Sequence, residues 1–236
     1  MKTFFNKLYI NWYNGKPLSK FGLKYIDPNV IKYVFEPYWI SGTGDLQGVV
    51  MNYNPGRGGD IQERQNINYT GDYVKDIINN PKFKKTSEWH FNRRAKPILD
   101  ALKCNGSIEC IEIFWGHTPT VKDGLIKHVE NNSDAIFKSF YFAAEESKKI
   151  INNKLNSVVL MKMSKRGLIE ILKLANIKYK EVKNTQYASD NVGAWYEIMI
   201  DSIPDVKFVT IWNAKRDGSK QRSSFPPTFL EIFNKI

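Results

Sequence analysis

"VVMNYNPGRGGD" (Val49–Asp60) joins an apolar run to a polar, glycine-rich corner. Val, Val and Met suit a pleated surface buried on both faces, the pattern of an inner strand in a parallel sheet. Pro55 then fixes its own φ and turns Asn54 away from the α region, while Gly56, Gly58 and Gly59 permit close backbone approach. The stretch reads as a buried strand that stops abruptly on a loop.

Three further runs repeat the first half of that pattern. With "GVVMNY" (48–53), the runs "IECIEIFW" (108–115), "SVVLMKM" (157–163) and "VKFVTIW" (206–212) are short, rich in Val, Ile or aromatics, and lead into Gly, Pro, Asn or basic corners. Helix-like stretches separate them. "SEWHFNRRAKPILDALK" (87–103) opens on the N-cap residue Ser87 and is kinked or divided at Pro97. "DAIFKSFYFAAEESKKIINNKL" (134–155) and "SKRGLIEILKLANI" (164–177) place apolar residues at helical spacing, the second behind a cap at Ser164. The last element, "PPTFLEIFNKI", carries Pro where a missing N–H costs nothing.

Strands alternating with helices predict a three-layer α/β/α sandwich around a central, mainly parallel sheet of four or five strands. "YKEV" (179–182) and "WYEIMI" (195–200) add a strand or hairpin before the last inner strand. No repeat or low-complexity linker divides the 236 residues. One domain over 1–236 is expected, with 1–35 as a helical or irregular extension packed on it.

Thirty-five Lys and Arg against 24 Asp and Glu leave a net charge of +11. Such a surface either is merely solvated or attracts an anionic partner, nucleic acid first among them. Aromatics at 14% would add stacking surfaces, although most belong to a core. Cys104 and Cys110 lack CxxC spacing and a nearby His cluster, so neither a disulfide framework nor a metal site is expected. No apolar run reaches the ~20 residues of a membrane helix. "MKTFFNKLYINWYNGK" is too aromatic and polar for a signal peptide, and a cytoplasmic protein without membrane contact is expected.

Parallel sheets bind ligands outside the carboxyl ends of their strands. That rule gathers the corners Asn52–Asp60, Trp115–Asp123, Ser164–Gly167 and Asn213–Arg222 into one expected site. In the first corner, backbone N–H groups of 56–59 suit an anion or a carbonyl oxygen, and Asn54 suits a water or an amide-like edge; a plain tight turn is the competing reading. GK[ST] is absent and GxGxxG spacing is missed, there and in "GTGDLQG" (42–48), so neither nucleotide fingerprint applies. The last corner crowds Lys215, Arg216, Lys220 and Arg222 beside Ser219, Ser223 and Ser224, a composition suited to phosphates or simply to solvent. His117 follows the second strand in "IFWGHTPTVKDG" (113–124). No nucleophile elbow, Ser-His-Asp order or HExxH supports acyl transfer or zinc hydrolysis.

A strand ending in "MNYNPG" resembles motif one of the uracil-DNA glycosylase superfamily, in the branches that read Gly-x-Asn-Pro-Gly. "EPYWISGTGDLQGVVMNYNPG" (36–56) is similar to bacterial glycosylase-like proteins with Pro-Glu-Pro-Tyr ahead of an Asn-Pro-Gly strand. The order of elements is similar over roughly 36–236, and the specific match is motif one. The resemblance implies a nucleic-acid-binding protein, DNA its partner, that hydrolyses the N-glycosidic bond of a flipped, damaged base without metal or organic cofactor. Asn54 or Asp60 would hold the attacking water. Pro55, Gly56, Arg57, Gly58, Gly59 and Trp115 would line the base pocket, and Lys215, Arg216, Lys220, Arg222 and Ser223 would bind the backbone. His117 or Asn213 would stabilise charge on the leaving base. "WNAKRD" departs from the family, with Asn213 where motif two has His. Two alternatives therefore stand: a glycosylase-fold binding module without chemistry, for nucleic acid, nucleotide or protein, and an α/β enzyme acting on a phosphorylated small molecule. A monomer is assumed.

Overall fold

The computed structural model describes residues 1–25, 37–53, 70–72, 75–76, 92, 95–115, 128–186 and 194–212. The last expected helix and all of 54–69 and 213–236 lie outside the described residues.

Among the described residues, seven strands form a mixed sheet: β1 (Tyr38–Gly42), β2 (Leu46–Asn52), β3 (Ser107–Glu112), β4 (Val158–Met161), β5 (Tyr179–Gln186), β6 (Ala194–Ile200) and β7 (Ile203–Trp212). Their spatial order is β1-β3-β2-β4-β7-β6-β5. The four apolar runs are the contiguous parallel strands β3, β2, β4 and β7. Sequence alone predicts a mainly parallel sheet of four or five strands; the described sheet has four parallel strands and three antiparallel ones. β1 pairs with β3, and the β5–β6 hairpin extends the sheet beyond β7. The hairpin belongs to the reading of 179–200, whereas "YWISG" lacks a clean period-two pattern and escaped it.

Helices α1 (Lys2–Tyr13), α2 (Lys96–Leu102), α3 (Ser133–Ser147) and α4 (Lys165–Leu174) accompany the sheet. Pro97 sits in the first turn of α2, where its missing N–H is harmless, while the expected cap Ser87 and most of 87–94 lie outside the described residues. α3 buries Ile136, Phe140, Ala143 and Ala144, the stripe read from its spacing, and stops at Ser147 rather than running to 155. α4 begins where expected. Ser164 Oγ accepts the Gly167 N–H at 3.1 Å, and Leu168, Ile171 and Leu172 face inward.

One row of side chains fixes the registry across the sheet: Ile40, Glu109, Val49, Val159, Phe208, Ile198 and Glu181. The Phe208 ring meets Phe140 of α3 edge-on at 5.4 Å, so α3 covers the face carrying this row. α1 lies over that face too, with Phe5 stacked on Tyr38 and edge-on to Trp115. On the other face Gly48 has no room for a β-carbon, which would press into Ile108 and Leu155 and reach Ile98 of α2. Every residue of β3 is buried, as an inner strand requires.

Candidate functional site

Taken in chain order, the parallel strands are second, first, third and fourth across the sheet. An order of this kind places its ligand crevice between the first and third strands, here between the carboxyl ends of β2 and β4. Tyr53 leaves β2 at that point and seats its hydroxyl over Gly167 in the first turn of α4, where even a methyl side chain would overlap it. Burial, with a contribution from Glu170, raises the Tyr53 pKa. The phenol therefore stays protonated at neutral pH and bridges two of the expected corners, Asn52–Asp60 and Ser164–Gly167.

Beside it, the ends of β2 and β3 bring together three polar groups that the sequence reading passed over. Asn52 and Glu112 are cross-strand neighbours, 4% and 0% exposed. Asn52 Nδ2 donates to Glu112 Oε1 at 3.4 Å, and Trp39 Nε1 from β1 donates to the same oxygen at 3.2 Å. Two donors on one oxygen give the buried carboxyl group partial compensation for lost water. The signal was present: Glu109 and Glu112 are the two acids in an apolar run otherwise suited to burial on both faces. A buried charge in such a run needs a partner.

Aromatic rings follow this group along both strands. Tyr53 and Phe114 lie with nearly parallel rings, 6.4 Å between centroids, and the Phe114 N–H donates to the Tyr53 carbonyl at 2.9 Å. His128 meets Phe114 edge-on. Amide, carboxylate and aromatic surface at one strand edge could recognise a planar heterocycle. Among the described residues no cluster of three or more His, Cys, Asp or Glu is suited to a metal ion, and no helix is long and apolar enough to cross a membrane.

Trp115 is corrected. Expected to line a base pocket, it is 1% exposed, in edge-on contact with Phe4 and Phe5, with its indole N–H donated to Ser139 Oγ at 2.7 Å. Its ring and its polar atom serve the core on the α1 and α3 side. Asn54, Pro55, Gly56, Arg57, Gly58, Gly59, Asp60, His117, Asn213, Lys215, Arg216, Lys220, Arg222 and Ser223 lie outside the described residues. Ser164, part of an expected corner, caps its own helix.

Compared with family models, with curated proteins and with solved structures, the chain matches none.

Proposed function

We propose that this chain is a nucleic-acid-binding protein of the uracil-DNA glycosylase-like fold, whose chemistry is hydrolysis of the N-glycosidic bond of a flipped, damaged base. The observation that carries the reading is topological. The strand that runs into Asn-Pro-Gly is the central parallel strand β2, and its end borders the crevice of the strand order. The three-layer α/β/α arrangement belongs to the same reading, supported by α3 over one face and the approach of Ile98 to Gly48 on the other.

In this reading the enzyme flips a nucleotide out of the stack at a cost of a few kcal/mol. The bond breaks with positive charge on the sugar and negative charge on the base. N–H groups of 56–59, with His117 or Asn213, stabilise the base, and Asn54 or Asp60 positions the water. The experiment offers oligonucleotides containing uracil, hypoxanthine or alkylated bases and counts abasic sites after alkaline cleavage. Asn54→Ala is expected to lower kcat about 10²–10³-fold while DNA affinity stays near wild type. Product formed equally well by the variant would move the water to another corner. The departure at Asn213 favours a second reading, a binding module without chemistry; DNA bound but no abasic product from any substrate would select it.

A further inference from the structure

Residues 1–25 hold five Lys and no Asp or Glu, so this stretch alone carries five of the eleven net positive charges. All five lysines are exposed, and Lys7, Lys16 and Lys20 enter no ion pair among the described residues. Aromatic contacts draw them into one layer. Phe4 of α1 meets Phe21 edge-on at 5.4 Å, and Lys20 Nζ lies 5.2 Å from the centre of the Phe21 ring. Lys138 Nζ of α3 lies 5.5 Å from the Phe4 ring centre and donates to the Phe21 carbonyl at 3.1 Å. Lys7 stands one turn beyond Phe4, and Lys16 follows the helix end. Like charges gathered without acids repel one another, a cost that a bound anion removes. Lys24 shares its turn with Asp134, which stands beside Gly22, and Lys2 acts on the buried Glu109; neither is counted here.

The kind of anion follows from what α1 leaves open. Its apolar side, Phe5, Leu8 and Tyr9, is buried in the core, so the helix has none to insert into a lipid surface. Its outer side offers lysines, Thr3 and the exposed Tyr13 ring, a set suited to a phosphate backbone. The layer also borders the crevice side of the sheet, because Phe4 meets Trp115, just beyond the carboxyl end of β3, at 5.6 Å. We propose that the outer side of α1 and the turn behind it form a second nucleic-acid contact, in which Lys7, Lys16 and Lys20 each neutralise a phosphate of DNA engaged at the crevice. The choice of DNA rests on the function proposed above; the patch rests on charge and geometry. It adds affinity without sequence preference, since phosphates carry no sequence information.

The test follows binding of the full chain to a fluorescent DNA duplex over a range of salt. One variant combines Lys7→Gln, Lys16→Gln and Lys20→Gln, and a second changes the same three to Arg. A control combines Lys173→Gln, Lys178→Gln and Lys180→Gln, exposed lysines at the end of α4 and the start of β5, and lowers the net charge equally. The α1 triple is expected to flatten the log–log salt slope by about 0.9 per lysine and to weaken binding about tenfold or more at low salt. The Arg triple and the control should keep the wild-type slope. Three results overturn the proposal: wild type binds no duplex, the α1 triple keeps its slope, or the control loses as much, which makes the effect one of net charge. Vesicles of phosphatidylserine and phosphatidylcholine form a further arm, and binding to them through these lysines in preference to duplex would overturn the choice of nucleic acid. If the glutamine triple does not fold, Lys7→Gln with Lys16→Gln, which removes no ring contact, decides in the same way. A flattened slope without abasic product would sink the glycosylase reading and leave this contact standing. Abasic product with an unchanged slope would do the reverse.

Discussion

Glu109 occupies the middle of β3, 2% exposed, on the face that α3 covers. Burial first, and then the Glu146 carboxyl of α3, push its pKa up to about 8; Lys2 of α1 and Lys149 oppose the rise. Lys149 Nζ lies 2.6 Å from Glu146 Oε1. Burial, and then the neighbouring carboxyls, raise the Tyr38 pKa as well. In the unfolded chain Glu109 titrates near its ordinary 4.5, so between that pH and about 8 the folded state holds a proton the unfolded state lacks. Its stabilising contribution is complete below the lower value and is lost as pH rises through the upper one. Denaturant unfolding from pH 4.5 to 9 should show wild type losing on the order of a few kcal/mol relative to Glu109→Gln, which keeps a neutral side chain throughout. Parallel pH profiles for the two proteins would show that Glu109 titrates normally.

Among the elements, α4 shows how a strand end and a helix start fix one another. Gly→Ala inside a helix ordinarily stabilises by roughly 0.5–1 kcal/mol. At Gly167 the sign should reverse, because the new methyl would occupy the place of the Tyr53 hydroxyl. We expect Gly167→Ala to destabilise by about 1–3 kcal/mol, as overpacking does. Tyr53→Phe removes the overlapping atom, so the double variant should recover part of the loss, a coupling that a double-mutant cycle of chemical denaturation would measure. Additive single effects would mean that Tyr53 does not rest on α4. The helical stripes of α3 and α4 were legible from spacing alone because one face must meet the sheet. The end of α3 was not: "SKKIINNKL" (147–155) continues the apolar spacing, yet the chain turns there to enter β4, with Asn152 and Ser157 at φ 70° and 57°.

For the whole molecule, the net charge of +11 is the property that sequence states outright and structure only distributes. If 215–222 binds phosphate, replacing Lys215, Arg216, Lys220 and Arg222 with Ala should weaken binding to all DNA sequences alike. Every phosphate that one of these side chains neutralises should account for about 0.9 of the log–log salt slope on duplex, and the slope should flatten by that amount when the side chain is removed. An unchanged slope in the quadruple variant would make that charge a solvated surface.

The sequence by itself determined the α/β class and the four inner strands, because runs buried on both faces leave a mark that needs no neighbour to interpret. Its reading of Asn54 and the corner that follows, from the backbone chemistry of Pro and Gly, falls outside the described residues. Only the tertiary structure decided that "YWISG" adds an antiparallel edge to β3 and that Trp115 belongs to the core. Only it, too, made Trp39, Asn52 and Glu112 neighbours from three strands. Strand periodicity gives a side chain's face but not its partners across the sheet. Partners come from registry, and registry is settled by residues far apart in the chain that pack together.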